Sequence, residues 1–206
     1  LCFYILASFK RNSSFSTEAG LKYFISGSFI SGVFLLGASL IYVCLGSLNF
    51  NILSWLLFFD FSSDFIILRI LIIIAICLIT FTLCFKIAAA PFHFWSPDVY
   101  EGSPLASTLI FSIIPKISLF VFFIRWLLTI SIFFLQIKFL FIITGILSFF
   151  FGTFFAIRQK RLKRLVIYSS IAQVGFLIIP FFILNVDSFS YLIFYLFIYL
   201  ITSILV

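Results

Sequence analysis

Charge is what this chain has least of. Only 9% of its 206 residues are charged; Asp and Glu together number 6 and His appears 1 time. A soluble domain carries roughly 25% charged residues, so there is too little polar side chain here to coat a water-facing surface. Met is absent and Pro is limited to 5 positions. Also missing are a glycine-rich phosphate loop, a G-x-G-x-x-G segment, a cluster of metal-ligand spacing and a Ser/His/Asp arrangement in a credible setting. One histidine cannot supply a haem with a His pair. The 4 cysteines, Cys2, Cys44, Cys77 and Cys84, form no C-x-x-C pair, and buried thiols are expected rather than ligands or disulfides. No cofactor, metal or redox centre is expected in this chain.

What is present is apolar almost from end to end. Hydrophobic residues make up 65% and Phe alone 34 positions, with a mean hydropathy of +1.36. A signal peptide does not explain this, because the hydrophobicity does not stop near the N-terminus. The chain is expected to be an integral membrane protein. Its Phe, Ile and Leu are all encoded by AT-rich codons, which associates it with an organellar genome. The missing Met and the start at Leu1 suggest a fragment or an unusual start.

A bilayer core of ~30 Å needs about 20 apolar residues per helix. On that measure 1–9 is a partial span, followed by spans at 21–45, 65–90, 105–128, 139–157, 165–184 and 191–206. The expected fold is all-α: one polytopic transmembrane helix bundle over 1–206, without a soluble domain. Strands are not expected, because the runs lack period-2 alternation. Alternating the loops places Lys10, Arg11, Lys22, Arg158, Lys160, Arg161, Lys163 and Arg164 on one face. Arg69, Arg125 and Lys138 fall on the other, with Asp60, Asp64 and Asp187. The cation-rich face is therefore the matrix or cytoplasmic side. The net charge of +7 is thus a topology signal and does not point to nucleic acid. The 158–164 run is an orientation anchor, with anionic lipid headgroups as a secondary partner.

Two lysines are left at membrane depth. Lys116 lies midway along 105–128. Lys86 lies near the end of 65–90, where the apolar run continues to Trp95. From Leu68 to Trp95 a straight helix would be about 40 Å long. A break is expected at Ala88-Ala89-Ala90-Pro91, because Pro91 cannot donate to the carbonyl one turn back. Broken helices at depth occur inside protein or beside a water-filled cavity. A lysine at the bilayer centre costs on the order of 2.5–3.5 kcal/mol, so two of them point to proton handling; a helix-tying ion pair is the structural alternative. His93, past the break and near Asp98 and Glu101, is the further candidate shuttle. Pro115, just before Lys116, is expected to loosen its helix and free a carbonyl for water.

At these residues the chain resembles a known family. Lys86-Ile-Ala-Ala-Ala-Pro-Phe-His-Phe-Trp-Ser-Pro-Asp-Val-Tyr-Glu-Gly-Ser-Pro104 is similar to the central segment of NADH dehydrogenase subunit 2, an antiporter-like membrane subunit of respiratory complex I. Ser16-Thr-Glu-Ala-Gly-Leu-Lys-Tyr-Phe24 resembles the family's loop into its sixth helix. Lys163-Arg-Leu-Val-Ile-Tyr-Ser-Ser-Ile-Ala-Gln-Val-Gly175 resembles its K-R-L-x-x-Y-S-S-I-x-x-x-G segment. The resemblance implies that Lys86 is the lysine of the broken seventh helix and Lys116 that of the eighth. They would be the entry and central relay of one proton path in a mitochondrial inner membrane. NADH, flavin, iron–sulfur clusters and ubiquinone would be bound by other complex I subunits. The family's glutamate of helix five would lie before Leu1 and its lysine of helix twelve beyond Val206. Separate chains supplying those helices, or an incomplete record, are both expectations from this deficit. Other readings are a cation/proton antiporter, a membrane-hydrogenase subunit, a plastid homologue, or a structural remnant without transport.

Overall fold

The computed structural model describes residues 2–10, 12–58, 66–183 and 186–205. Arg11, Asp60, Asp64 and the side chain of Asp187, which enter the sidedness argument, lie outside the described residues. The helices are α1 Cys2–Ala7, α2 Ser14–Leu45, α3 Phe50–Phe58, α4 Ile66–Lys86, α5 Trp95–Gly102, α6 Leu105–Thr129, α7 Phe134–Ile157, α8 Leu162–Ile178 and α9 Val186–Leu205. Short 3₁₀ turns at Ser131–Phe133 and Ile179–Phe182 precede α7 and extend α8. There is no strand among the described residues. Among the described residues, six helices are long and apolar enough to cross a membrane. The chain is a polytopic helix bundle with one broken helix.

Some boundaries differ from those expected. α2 begins at Ser14 rather than 21 and α7 at Phe134 rather than 139, because helices extend past the apolar run into the interface when nothing breaks them. α3 and α5 were not expected. With 9 and 8 residues, both fall below the length at which hydropathy registers a span. α2 stops at Gly46, whose φ of 74° suits a residue without Cβ; its N–H donates to the Tyr42 carbonyl at 2.8 Å.

The expected break is real, and its chemistry is specific. Ala88 N–H donates to the Phe85 carbonyl and Ala89 N–H to the Cys84 carbonyl, both at 3.0 Å. That pair of bonds is a Schellman closure, with Ala88 at φ 59° in the left-handed position usually taken by glycine. The Trp95 indole N–H adds a bond to the Phe85 carbonyl at 3.0 Å. The chain then turns through Pro91, reached by a cis peptide bond, into α5.

α2 packs along α4, and α7 along α8; α5 sits between α2 and α8. The α7–α8 contact is close. A Cβ on Gly152 would lie 2.5 Å from the Ala172 nitrogen. The main core gathers Phe120, Phe123, Phe141 and Phe181 from α6, α7 and the turn after α8. A smaller cluster of Ala7, Val99, Tyr100, Phe111, Ile167 and Ile171 seals the end nearer the cation-rich loops. Large apolar residues such as Val43, Ile67 and Ile157 remain exposed, as a lipid-facing surface requires. Of the thiols, all free, only Cys84 is buried; Cys44 and Cys77 are half-buried and Cys2 is exposed. The thiols therefore depart from the burial expected of them, since an apolar run in a bundle has a lipid-facing side.

Candidate functional site

Lys116 is held inside the bundle at 4% exposure. Its Nζ donates to the Tyr199 hydroxyl oxygen at 2.8 Å and stands 4.8 Å from the ring centroid, within cation–π range. The Tyr199 hydroxyl donates in turn to the Ser112 carbonyl at 3.2 Å, one turn before the lysine on α6. No carboxylate pairs with Lys116 among the described residues.

Pro115 does not interrupt α6, which runs unbroken through it. Lacking an N–H, it leaves the Phe111 carbonyl without its helical donor. The Tyr100 hydroxyl donates to that carbonyl at 3.3 Å. The expected free carbonyl exists, and a phenol from α5 occupies it.

Below the lysine lies a cavity of about 540 Å³ between α6, α8 and α9. Its polar lining includes Thr108, Ser112, Lys163, Ser170, Gln173, Tyr199 and Thr202. Lys163 stands at the end nearer the cation-rich loops, where its Nζ donates to the Ser103 carbonyl at 3.1 Å. Hydroxyls and an amide can host a chain of waters, since each offers donors or acceptors.

Lys86 is placed differently. It is the last residue of α4, where a cation complements the helix's negative end. It is exposed on the chain's own surface beside α2, with Nζ 5.2 Å from the Phe34 ring centroid. No carboxylate pairs with it among the described residues, and no bond joins it to Lys116.

His93 is buried at 3% exposure. It stacks on Phe94, at 4.7 Å between centroids, and on Phe151, at 5.9 Å. Its Nδ1 has no partner among the described residues. Burial pushes the imidazole below its ordinary range, with the Pro91 carbonyl opposing. The structure joins it to neither lysine. The acids near it in sequence are engaged elsewhere: Asp98 with Lys22 and Arg164, Glu101 with Arg161 and Arg164. Burial pushes the Glu101 carboxyl up, but hydrogen bonds from Arg161 and Arg164 outweigh this and hold it below its usual range. This network ties α5 to α2 and α8, so part of the 158–164 run serves as an internal clamp.

Sequence reasoning missed Tyr100 and Tyr199. A tyrosine in an apolar helix carries no signal of its own, and Tyr199 lies 83 positions from Lys116. Among the described residues no group of three or more His, Cys, Asp or Glu could hold a metal.

Comparison with known proteins adds a family to this geometry. Residues 1–206 match the family described as NADH:quinone oxidoreductase/Mrp antiporter, TM. The chain is 42% identical over 210 residues to NADH-ubiquinone oxidoreductase chain 2 of Marchantia polymorpha, covering 99% of itself and 42% of that protein. It resembles a chain of respiratory complex I from Thermus thermophilus at 32% identity and a TM-score of 0.69, over 95% of itself and 41% of that chain. A chain of the Mrp complex from Dietzia sp. shares the fold, with a TM-score of 0.86 at 20% identity over 98% of this chain and 37% of that one. The chain therefore spans about two fifths of these relatives' length.

Proposed function

The chain belongs to the NADH:quinone oxidoreductase/Mrp antiporter transmembrane family, and we propose that it forms the central part of a proton-translocating membrane-arm subunit of NADH:quinone oxidoreductase. The observation that carries this is Lys116: a buried amine without a carboxylate among the described residues, bonded to Tyr199 at 2.8 Å above a polar cavity. The phenol oxygen and ring hold the lysine head group beside the cavity without a neutralising carboxylate among the described residues, as a relay requires. Lys86 would be a second station, its ammonium completed by a carboxylate from outside this chain, because an unpaired charge at membrane depth is costly. His93 would serve proton transfer on the side of the cation-rich loops.

The electron transfer belongs to other subunits in this proposal. They would bind NADH, flavin, iron–sulfur clusters and ubiquinone, and their redox step would drive the protonation of the lysines. The chain would sit in the mitochondrial inner membrane among other complex I membrane-arm subunits and lipids, a placement supported by its 42% identity to an NADH-ubiquinone oxidoreductase chain 2.

The test is Lys116→Ala in the assembled complex, with proton movement and NADH oxidation by the detached hydrophilic part measured side by side. Pumping should fall while that oxidation persists. Normal pumping ends the proposal. A second reading, cation/proton antiport, is favoured by the shared Mrp fold; it requires that transport depend on sodium or potassium, which the same vesicles report.

A further inference from the structure

We propose that Tyr199 is the proton relay through which Lys116 exchanges its proton with the cavity. This rests on Lys116 acting as a relay, as argued above. Three observations converge on it. Tyr199 Oη is the one hydrogen-bond acceptor of the Lys116 ammonium among the described residues. Tyr199 and Ser112 line the cavity, whereas Lys116 does not. The phenol's own proton points at the Ser112 carbonyl, 3.2 Å away on the helix that carries the lysine. The hydroxyl thus stands between ammonium and lumen, held from both ends.

A hydroxyl is both donor and acceptor and its hydrogen rotates. When it turns from the Ser112 carbonyl to a cavity water, one concerted transfer becomes available. An Nζ–H bond breaks as an O–H bond forms on the phenol oxygen. The original phenol O–H breaks as that proton joins the water. The products are a neutral amine, a neutral phenol and a protonated water; the reverse step reloads the lysine. No phenolate accumulates, so no free negative charge has to be stabilised at membrane depth. The bond to Ser112 also holds α9 on α6, so a shift of α9 would withdraw the acceptor and close the exchange.

Other titratable groups lie on the helices around α6. Tyr100 from α5 reaches the neighbouring carbonyl and Lys163 from α8 lies in the cavity wall. Of the helices packed on α6, α3 has none, α1 carries Cys2 and Tyr4, α4 carries Arg69, Cys77, Cys84 and Lys86, α5 adds Asp98 and Glu101, and α9 adds Asp187, Tyr191 and Tyr195; α6 itself carries Arg125.

The test uses the complete subunit in its assembled complex, in sealed vesicles, with proton translocation followed across pH. Tyr199→Phe keeps the ring and removes the hydroxyl. Translocation should drop roughly 10-fold or more, the scale of one lost hydrogen bond to a charged group. The pH profile of what remains should differ from that of the unaltered complex, because the exchange has lost its hydroxyl. Tyr199→His restores a donor and acceptor and should recover part of the rate with a changed profile. An assembled Tyr199→Phe complex with normal rate and profile overturns the proposal. If the Phe variant fails to assemble, a His variant with an unaltered profile overturns it instead. Lys116→Ala distinguishes the two levels: loss there with normal Tyr199→Phe removes only the Tyr199 proposal, and no loss there removes the relay itself.

Discussion

Tyr100 donates its hydroxyl hydrogen to the Phe111 carbonyl at 3.3 Å, the carbonyl that Pro115 leaves without a helical partner. A proline inside a membrane helix is tolerated when a neighbour re-satisfies the freed group, and α5 does so here. The same segment carries the break after Lys86, so the two lysine-bearing helices are linked through one phenol.

That bond predicts a double-mutant cycle. Tyr100→Phe should destabilise the assembled subunit by about 1 kcal/mol, the net worth of a buried hydrogen bond. In a Pro115→Ala background the helix regains its own donor and the penalty should shrink toward zero. Thermal unfolding in detergent measures both, and equal penalties in the two backgrounds would contradict the assignment.

Lys86 carries a conflict between insertion and function. Lys86→Met should favour membrane insertion of α4, by less than the roughly 2.5–3.5 kcal/mol of a central lysine because Lys86 ends the helix, while abolishing translocation. A glycosylation-based insertion assay reads the first effect and vesicle pumping the second. No gain in insertion would mean that Lys86 already reaches water or a partner.

Gly152 sets the distance between α7 and α8. With a Cβ only 2.5 Å from the Ala172 nitrogen, Gly152→Ala must push backbone apart, at about 1–3 kcal/mol for an overpacked contact. Lower subunit yield and a lower Tm are expected. Gly32, where a Cβ meets nothing within 4 Å, is the control position, and Gly32→Ala should change neither.

Glu101 gives a pH dependence of defined sign. Its carboxyl is held below the usual range by Arg161 and Arg164, so the clamp stabilises the folded chain above the ordinary carboxylate range. That contribution disappears as pH falls through the depressed value. The hydrogen-exchange protection of the amides in 87–104, relative to their intrinsic rates, should therefore fall on acidification below about pH 4.5. Glu101→Gln should show fast exchange already at neutral pH, and an unchanged acid response in that variant would rule Glu101 out as the cause.

Low charge and unbroken apolar runs determined the membrane fold from sequence alone, because a bilayer accepts little besides self-satisfied helices. The same economy made Lys86 and Lys116 visible, since a charge in such a run stands out without any partner being known. Pro91 located the break, because the loss of a backbone donor is local. Tertiary structure alone decided the rest. α3 and α5 are too short for a hydropathy signal, and Ala88 adopts a left-handed φ that its side chain does not advertise. Above all, Tyr199 meets Lys116 only because α9 packs on α6. A hydrogen bond across 83 positions depends on helix arrangement, which periodicity along one helix does not encode.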